Sequence, residues 1–229
     1  MQLFYLEDPK DEIILSAEES KHATKVLRKK EGDILNFTDG KGNLYKAEIT
    51  IADTRKCRLT IISSEQKEKQ HNYHLHIAIA PTKNMDRFEW FLEKATEIGI
   101  DEITPIICSR SERKIIKKER GSRILLSAMK QSLKYHLPKL NEAVSLTNFL
   151  ERNFDGGKYI AHCENGEKKD LKTINKTENT IILIGPEGDF SPKEIELALE
   201  NQFKAVNLAT NRLRTETAGI IAVHTINII

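Results

Sequence analysis

Ile182-Leu183-Ile184-Gly185-Pro186-Glu187-Gly188-Asp189-Phe190-Ser191 passes from an apolar, strand-like run through a tight loop into the start of a helix. Further along, Leu208-Ala209-Thr210-Asn211-Arg212-Leu213-Arg214-Thr215-Glu216-Thr217-Ala218 repeats that course: strand end, polar loop, helix opening. Two such passages close together put both loops at the carboxyl ends of neighbouring strands, where open α/β sheets bind ligands. Gly185 and Gly188 bracket Pro186-Glu187, so the chain turns sharply and its N–H groups can come close to a ligand. Glycines before a helix N-terminus often signal phosphate. Here no Gly-Lys-Ser/Thr follows, and no Gly-x-Gly-x-x-Gly occurs. Glu187 and Asp189 would repel a bare phosphate, so a cationic or zwitterionic ligand with an aromatic base fits better. A tight turn with no ligand is the competing reading. Arg212 and Arg214 in the second loop favour an anionic substrate.

The surrounding pattern alternates strands and helices. Leu75–Ala80, Ile103–Ile107, Tyr159–His162, Thr180–Ile184 and Ala205–Leu208 read as strands. Phe88, Phe91, Leu92, Ala95 and Ile98 form a helical stripe stopped by Gly99. A long basic helix is expected over Lys117–His136, with Leu125, Ala128, Met129, Ser132 and Leu133 inward and Pro138 beyond its end. Ser191 and Glu194 have capping-box spacing, with Pro192 at the first helical position, and Thr215–Ile229 forms a final apolar helix. The class is α/β with a mostly parallel sheet.

Before residue 65 the pattern is different. Asp33–Phe37 and Leu44–Ile49 flank Asp39-Gly40-Lys41-Gly42-Asn43, a hairpin signal, and Arg58–Ile62 follows as a strand. One short helix intervenes, with Ser16 and Glu19 as its cap, Ala23, Val26 and Leu27 as its apolar stripe, and His22, Lys25 and Lys29 on a shared face. Short strands over this length suggest a small β-barrel. The polar stretch Glu65–Asn72 reads as a linker, giving domains at 1–70 and 74–229.

The 229 residues are 39% hydrophobic and 31% charged, enough apolar material for a core. No apolar run is long enough to span a bilayer, and Met1–Glu7 lacks the pattern of a signal peptide, so no membrane and a cytoplasmic location are expected. Cys57, Cys108 and Cys163 are odd in number and far apart, against a disulfide framework. Net charge is only +2, but bases cluster at Lys21–Lys30 and at Cys108–Lys134. A solvated helix face explains either cluster alone; two in separate regions favour nucleic acid. Of His71, His74 and His76 only the last two share a strand face, and no metal is expected. His162 and Cys163 point to opposite strand faces, against a thiol nucleophile, and Trp90 reads as a packing residue.

These segments resemble the RsmE family of 16S rRNA uridine-N3 methyltransferases, within the SPOUT superfamily. The resemblance is carried by Lys21–Arg28 with Glu31-Gly32-Asp33, by Ala80-Pro81-Thr82-Lys83, and by Arg87 and Glu93–Gly99. Arg110-Ser111-Glu112-Arg113, Gln131-Ser132, Gly185–Gly188 and Leu213–Ala218 complete it, in order along nearly the whole chain. Asp189 stands where the family often has a second glycine, and Ala209, Asn211, Arg212 and Lys134 also depart from its pattern. The resemblance implies a trefoil-knotted SPOUT domain preceded by a PUA-like β-barrel that binds RNA. It also implies S-adenosylmethionine as cofactor, a homodimer, and 16S rRNA within the small ribosomal subunit as substrate. It places the cofactor on Leu183, Gly185, Pro186, Glu187, Gly188, Leu208, Asn211 and Leu213. Arg214 and Glu216 are the expected catalytic pair. His22, Lys25, Arg28, Arg87, Arg110 and Arg113 are the expected contacts to rRNA phosphates. A non-catalytic RNA-binding module and a SPOUT enzyme with another target base are the alternatives.

Overall fold

The computed structural model describes residues 2–69, 71–175 and 177–229. Contacts divide the chain into two units, Met1–Gln70 with Met129–Leu137, and His71–Ala128 with Pro138–Ile229. The first unit holds β1 (Leu3–Tyr5), β2 (Glu12–Ile14), α1 (Ala17–Lys21), β3 (Ile34–Thr38), β4 (Asn43–Ile51) and β5 (Arg58–Gln66). Their order is β1-β3-β4-β5-β2, antiparallel except for the parallel β1–β3 pair. Leu35 and Phe37 of β3 and Ala47 and Ile49 of β4 turn inward onto Phe4, Ile13 and Leu59. Register shifts at Lys46/Ala47 and Ile49/Ile51 are the irregularities that let a sheet coil. The result is a curled half-barrel, in keeping with the small β-barrel expected, with β1 and β2 at its edges among the described residues. β5 runs on to Gln66, so the expected linker begins inside a strand, and its residue Gln70 lies outside the described residues.

Ser16 caps α1 by accepting from the Glu19 N–H at 3.2 Å. His22–Val26 then widens into a π-helical turn, in which the Leu27 N–H reaches the His22 carbonyl, five residues back. The 3.6-residue spacing behind the expected His22–Lys25–Lys29 face does not hold there, and Val26 is exposed while Ala23 is buried. Arg28 leaves the turn with φ +55°.

The second unit carries β6 (His74–Ile79), α2 (Met85–Ile98), β7 (Glu102–Ile107), α3 (Lys118–Gln131), β8 (Lys139–Leu140), β9 (Val144–Ser145), α4 (Leu146–Leu150), β10 (Gly157–Ala161), β11 (Lys169–Asp170), β12 (Asn179–Ile184), α5 (Pro192–Glu200), β13 (Lys204–Asn207) and α6 (Thr215–Ile228). The sheet order is β11-β13-β10-β12-β6-β7-β8, with β9 also on β7, and every pairing is parallel. Burial on both faces explains the apolar runs Ile77–Ile79 of β6 and Ile181–Ile184 of β12. Leu183, Ile160 and Ala78 meet Phe190, Ile195 and Ala198 in one core cluster. α5 has the full capping box of Ser191 and Glu194. α6 packs on α2, β6 and β12. Trp90 is 44% exposed, because the inward face of α2 is set by Phe88, Phe91, Leu92 and Ala95.

α3 stops at Gln131, short of the expected His136. The Lys134 N–H bonds to the Met129 carbonyl and the Leu133 N–H to that of Lys130, with Leu133 at φ +55°. This is a Schellman stop made by a leucine where glycine is usual. The residues beyond it belong with the first unit, where Gly42 donates to Tyr135 and Leu137 donates to Gly40. Those contacts with the β3–β4 loop take backbone that a longer helix would have kept.

The histidines around β6 each have a partner. His71 stacks on Tyr73 with ring centroids 4.0 Å apart, His74 lies 3.4 Å from Glu102, and His76 Nε2 is 2.7 Å from Thr104 Oγ1. Among the described residues no three His, Cys, Asp or Glu are placed to hold a metal ion. Burial pushes His76 down to about 4, with the Glu102 charge opposing only in part. An unfolded histidine titrates near about 6.5, so the stability from neutral His76 is complete above that pH and is lost as pH falls toward 4. The loss expected is on the order of 1–3 kcal/mol. Urea midpoints of wild type and His76→Gln between pH 7 and pH 4.5 check this; wild type should fall more steeply, and parallel curves would contradict it.

Candidate functional site

The ends of β10 and β12, the loops after β7, β10, β12 and β13 and the start of α6 line a cavity of about 660 Å³. Gly185, Pro186, Glu187, Gly188 and Asp189 form one wall, and Arg212, Leu213, Arg214 and Thr215 another. A smaller recess of about 190 Å³ adjoins it, sharing Ala161, Cys163, Arg212, Leu213 and Ala218 and adding Leu208 and Asn211. The two loops that opened the sequence analysis therefore face one space. Thr215 Oγ1 donates to the Gly185 carbonyl at 3.0 Å and ties the start of α6 to the first loop.

Asp189 explains its own departure from the expected glycine. It sits at φ +62°, a conformation that Asp tolerates better than most residues. Its carboxylate accepts from the Cys163 N–H and from its own neighbour, the Phe190 N–H, both at 2.8 Å. The side chain thus joins the loop after β10 to the loop after β12. That third loop, with Cys163, Glu164 and Asn165 on the cavity wall, was not singled out from sequence. Its signal is the same as that of the other two, an apolar strand running into Cys163-Glu164-Asn165-Gly166.

The remaining expected residues are distributed unevenly. Leu183 is fully buried in the core with its backbone in the ladder between β10 and β6, and Ile184 lines the cavity instead. Period-two alternation and the end of the strand decide this. Arg214 is exposed at the cap of α6, lines the cavity, and has no ion-pair partner among the described residues. Glu216 is 7% exposed and is not on the cavity wall. It turns toward α2, where its Oε1 is 3.8 Å from Arg87 Nε and its Oε2 is buried without a hydrogen-bond partner among the described residues. The expected pairing of Glu216 with Arg214 is replaced by one with Arg87, because Glu216 falls on the buried face of α6.

Arg113 donates to the Lys83 carbonyl at 3.1 Å, and the Lys83 N–H donates to Glu187 Oε1 at 2.9 Å. Arg110 Nη1 donates to the carbonyls of Gly188 at 2.9 Å and Phe190 at 3.2 Å. In the first unit, Lys25 and Arg28 are exposed, and His22 is half-buried with its ring 5.8 Å from Phe4.

Residues 69–227 match the RNA methyltransferase domain, and residues 15–62 match the RNA methyltransferase PUA domain. The Ribosomal RNA small subunit methyltransferase E of Rickettsia conorii is 30% identical, over 92% of this chain and 87% of its own. The chain belongs to the ribosomal RNA small subunit methyltransferase E family. The family's Bacillus subtilis member is 26% identical over 99% of this chain and 96% of its own. The solved structure of a "probable rRNA-methyltransferase" from Porphyromonas gingivalis is 40% identical, with a TM-score of 0.92, covering 97% of this chain and 95% of that one. The methyltransferase E of Neisseria gonorrhoeae, solved bound to S-adenosyl methionine, is 25% identical with a TM-score of 0.87 over 97% and 95%. Within this family the half-barrel overlaps the PUA match and the parallel sheet the methyltransferase match.

Proposed function

We propose that the protein transfers the methyl group of S-adenosylmethionine to N3 of a uridine in 16S rRNA. The observation that carries this reading is the single cavity shared by the Gly185–Asp189 and Arg212–Thr215 loops in a member of this family. The cavity suits the cofactor: about 660 Å³ lies within the usual range for ligand pockets. Its rim carries Arg110, Arg212 and Arg214 with Glu164, Glu187 and Asp189, both charge signs that a zwitterion needs. Gly185 brings backbone close to the loop's own Phe190, since a Cβ would stand 3.0 Å from that ring and crowd it, and so backbone forms this part of the wall. Gly185, Pro186, Glu187, Gly188 and Leu213 would hold the cofactor, with Leu208 and Asn211 in the adjoining recess. When bound, S-adenosylmethionine supplies a methyl already activated on a sulfonium.

The chain's own task is alignment and charge. Uridine N3 is a weak acid and attacks only after losing its proton, which leaves negative charge on O2 and O4. Arg214, exposed on the cavity wall and without an ion-pair partner among the described residues, stabilises that charge. Glu216, in the first turn of α6, lies 3.8 Å from Arg87 and away from the cavity wall, so its role is orientation. Lys25, Arg28 and His22 of the first unit contact rRNA phosphates. A homodimer belongs to the same reading, supported by the exposed Ile228 and partly exposed Ile220 and Ile221 on α6. So do a cytoplasmic location and an assembled small subunit as substrate; among the described residues no helix is long and apolar enough to cross a membrane. The knotted threading implied by the resemblance is part of it too. After central β12 the chain crosses to β13 beyond β10, then returns to lay α6 on β6 and β12.

The decisive experiment is deletion of the gene followed by mass spectrometry of rRNA nucleosides. N3-methyluridine should disappear from 16S rRNA and return on complementation. Unchanged N3-methyluridine with loss of another methylated base would replace the target, and no change in any nucleoside would sink the enzymatic reading.

A further inference from the structure

Arg110 stands in a basic cluster and reads from sequence as a phosphate contact. The structure gives its guanidinium other work. Nη1 bridges two carbonyls of one loop, Gly188 at 2.9 Å and Phe190 at 3.2 Å. The aliphatic stem lies over Gly188, so that a Cβ there would meet Arg110 Cβ at 3.3 Å and Cδ at 3.5 Å. Arg110 and Gly188 line the same cavity. The loop's other restraints act at other atoms: the Asp189 N–H bonds to the Pro186 carbonyl, Thr215 Oγ1 to the Gly185 carbonyl, the Cys163 N–H to the Asp189 carboxylate and the Lys83 N–H to Glu187, so none of them takes the Gly188 or Phe190 carbonyl.

The segment that bears Arg110 is itself fixed to the far side of the loop. The Ser109 N–H and Oγ donate to Glu194 at 2.7 and 2.9 Å, and the same carboxylate closes the capping box of α5. The Cys108 N–H donates to Ser111 Oγ at 2.9 Å. Burial raises the Glu194 carboxyl, but the bonds it accepts from the N–H and hydroxyl groups of Ser191 and Ser109 hold it below the usual carboxylate range. A short turn after β7 is thereby anchored at both ends, and its one arginine reaches over the Gly-Pro-Glu-Gly turn. Two carbonyls 2.9 and 3.2 Å from one nitrogen fix the direction in which the intervening peptide groups point.

We propose that Arg110 is a positioning residue for the cofactor wall: it sets the Gly188–Phe190 backbone so that the cavity is preformed, and does not bind rRNA phosphate. The proposal rests on the cofactor assignment made above, and it separates affinity for the cofactor from affinity for RNA. A guanidinium bonded twice to backbone, on a stem that packs over a glycine, has less freedom than a phosphate-seeking surface arginine keeps.

The test uses the full-length protein and S-adenosylmethionine calorimetry alongside steady-state kinetics on small ribosomal subunits lacking the modification. Wild-type binding of S-adenosylmethionine tests the underlying reading first; its absence would remove that reading and this proposal together. Given binding, Arg110→Ala should weaken S-adenosylmethionine affinity by roughly tenfold or more, the loss of charge-assisted bonds to one loop. KM for the cofactor should rise in parallel, while KM for the subunit and its salt dependence stay within about twofold. Arg110→Lys, able to reach one carbonyl, should recover part of the affinity. Gly188→Ala should also weaken cofactor binding, and combined with Arg110→Ala it should cost less than the two effects added, because both act on one contact. A raised KM for the subunit with a reduced salt slope and unchanged cofactor affinity would overturn the proposal in favour of a phosphate contact. Additive effects in the cycle would show that Arg110 does not act through Gly188. Far-UV circular dichroism and the melting temperature of each variant identify any that fail to fold, and for those Arg110→Lys carries the decision.

Discussion

Replacing Arg214 with alanine is expected to lower kcat by roughly 10²–10³-fold, the usual effect of removing one preorganised donor from a developing anion. S-adenosylmethionine should still bind within a few-fold of wild type. The reason is geometric. Arg214 projects from the cap of α6 with its backbone at φ −69°, ψ 153°, and its carbonyl accepts from the Ala218 N–H, so the helix start does not depend on the side chain. The wall proposed for the cofactor is backbone of the Gly185–Asp189 loop, anchored by Thr215 and Asp189 through other atoms. Arg214→Lys keeps the charge but not the planar fork and should fall between the two. Single-turnover rates with calorimetric cofactor affinity make the comparison. Loss of cofactor binding equal to the loss of rate would place Arg214 in the cofactor wall instead, and an unchanged rate would remove it from the chemistry.

The second large effect is on stability. Gly219 lies on the buried side of α6, and a Cβ there would stand 2.6 Å from the Phe91 ring of α2 and 3.0 Å from Ile79 of β6. Phe91 and Ile79 are fully buried, so neither can swing away at low cost. Gly219→Val should therefore destabilise the protein by about 2–3 kcal/mol, overpacking outweighing the gain of about 0.5 kcal/mol in helix propensity. The urea midpoint should drop with an unchanged m-value. Because α6 carries Arg214, Thr215 and Glu216, surviving activity should also fall as the helix is pushed off α2. A midpoint equal to wild type would mean that the α2–α6 contact is looser than the structure shows.

Much of the fold is legible in the residues, and the exceptions share a cause. β6, α2, β7, β12, α5 and α6 follow from local periodicity and caps, since each is long enough for its apolar period to show. β1, β2, β8, β9 and β11 are two or three residues long, too short to carry a period, and exist because a neighbouring strand offers a ladder. The end of α3 was misread for a related reason. Nothing in Met129–Leu137 forbids a helix as glycine or proline would; Leu133 takes the left-handed turn that closes it, and the segment beyond is held by Gly40 and Gly42, far away in the chain.

The candidate site divides the same way. Residue types and spacing pointed to the Gly185–Gly188 and Leu213–Ala218 loops, and placed Arg214 at a rim, because a strand-to-helix turn is a local feature. Which side chain each charged group would meet was not local. Glu216 turns to Arg87, Arg110 to Gly188 and Phe190, and Asp189 to Cys163, all partners brought together only when the sheet order β13-β10-β12-β6 is formed. Backbone turns answer to the residues within them, whereas the partner of an arginine or a carboxylate is whatever the folded sheet sets beside it.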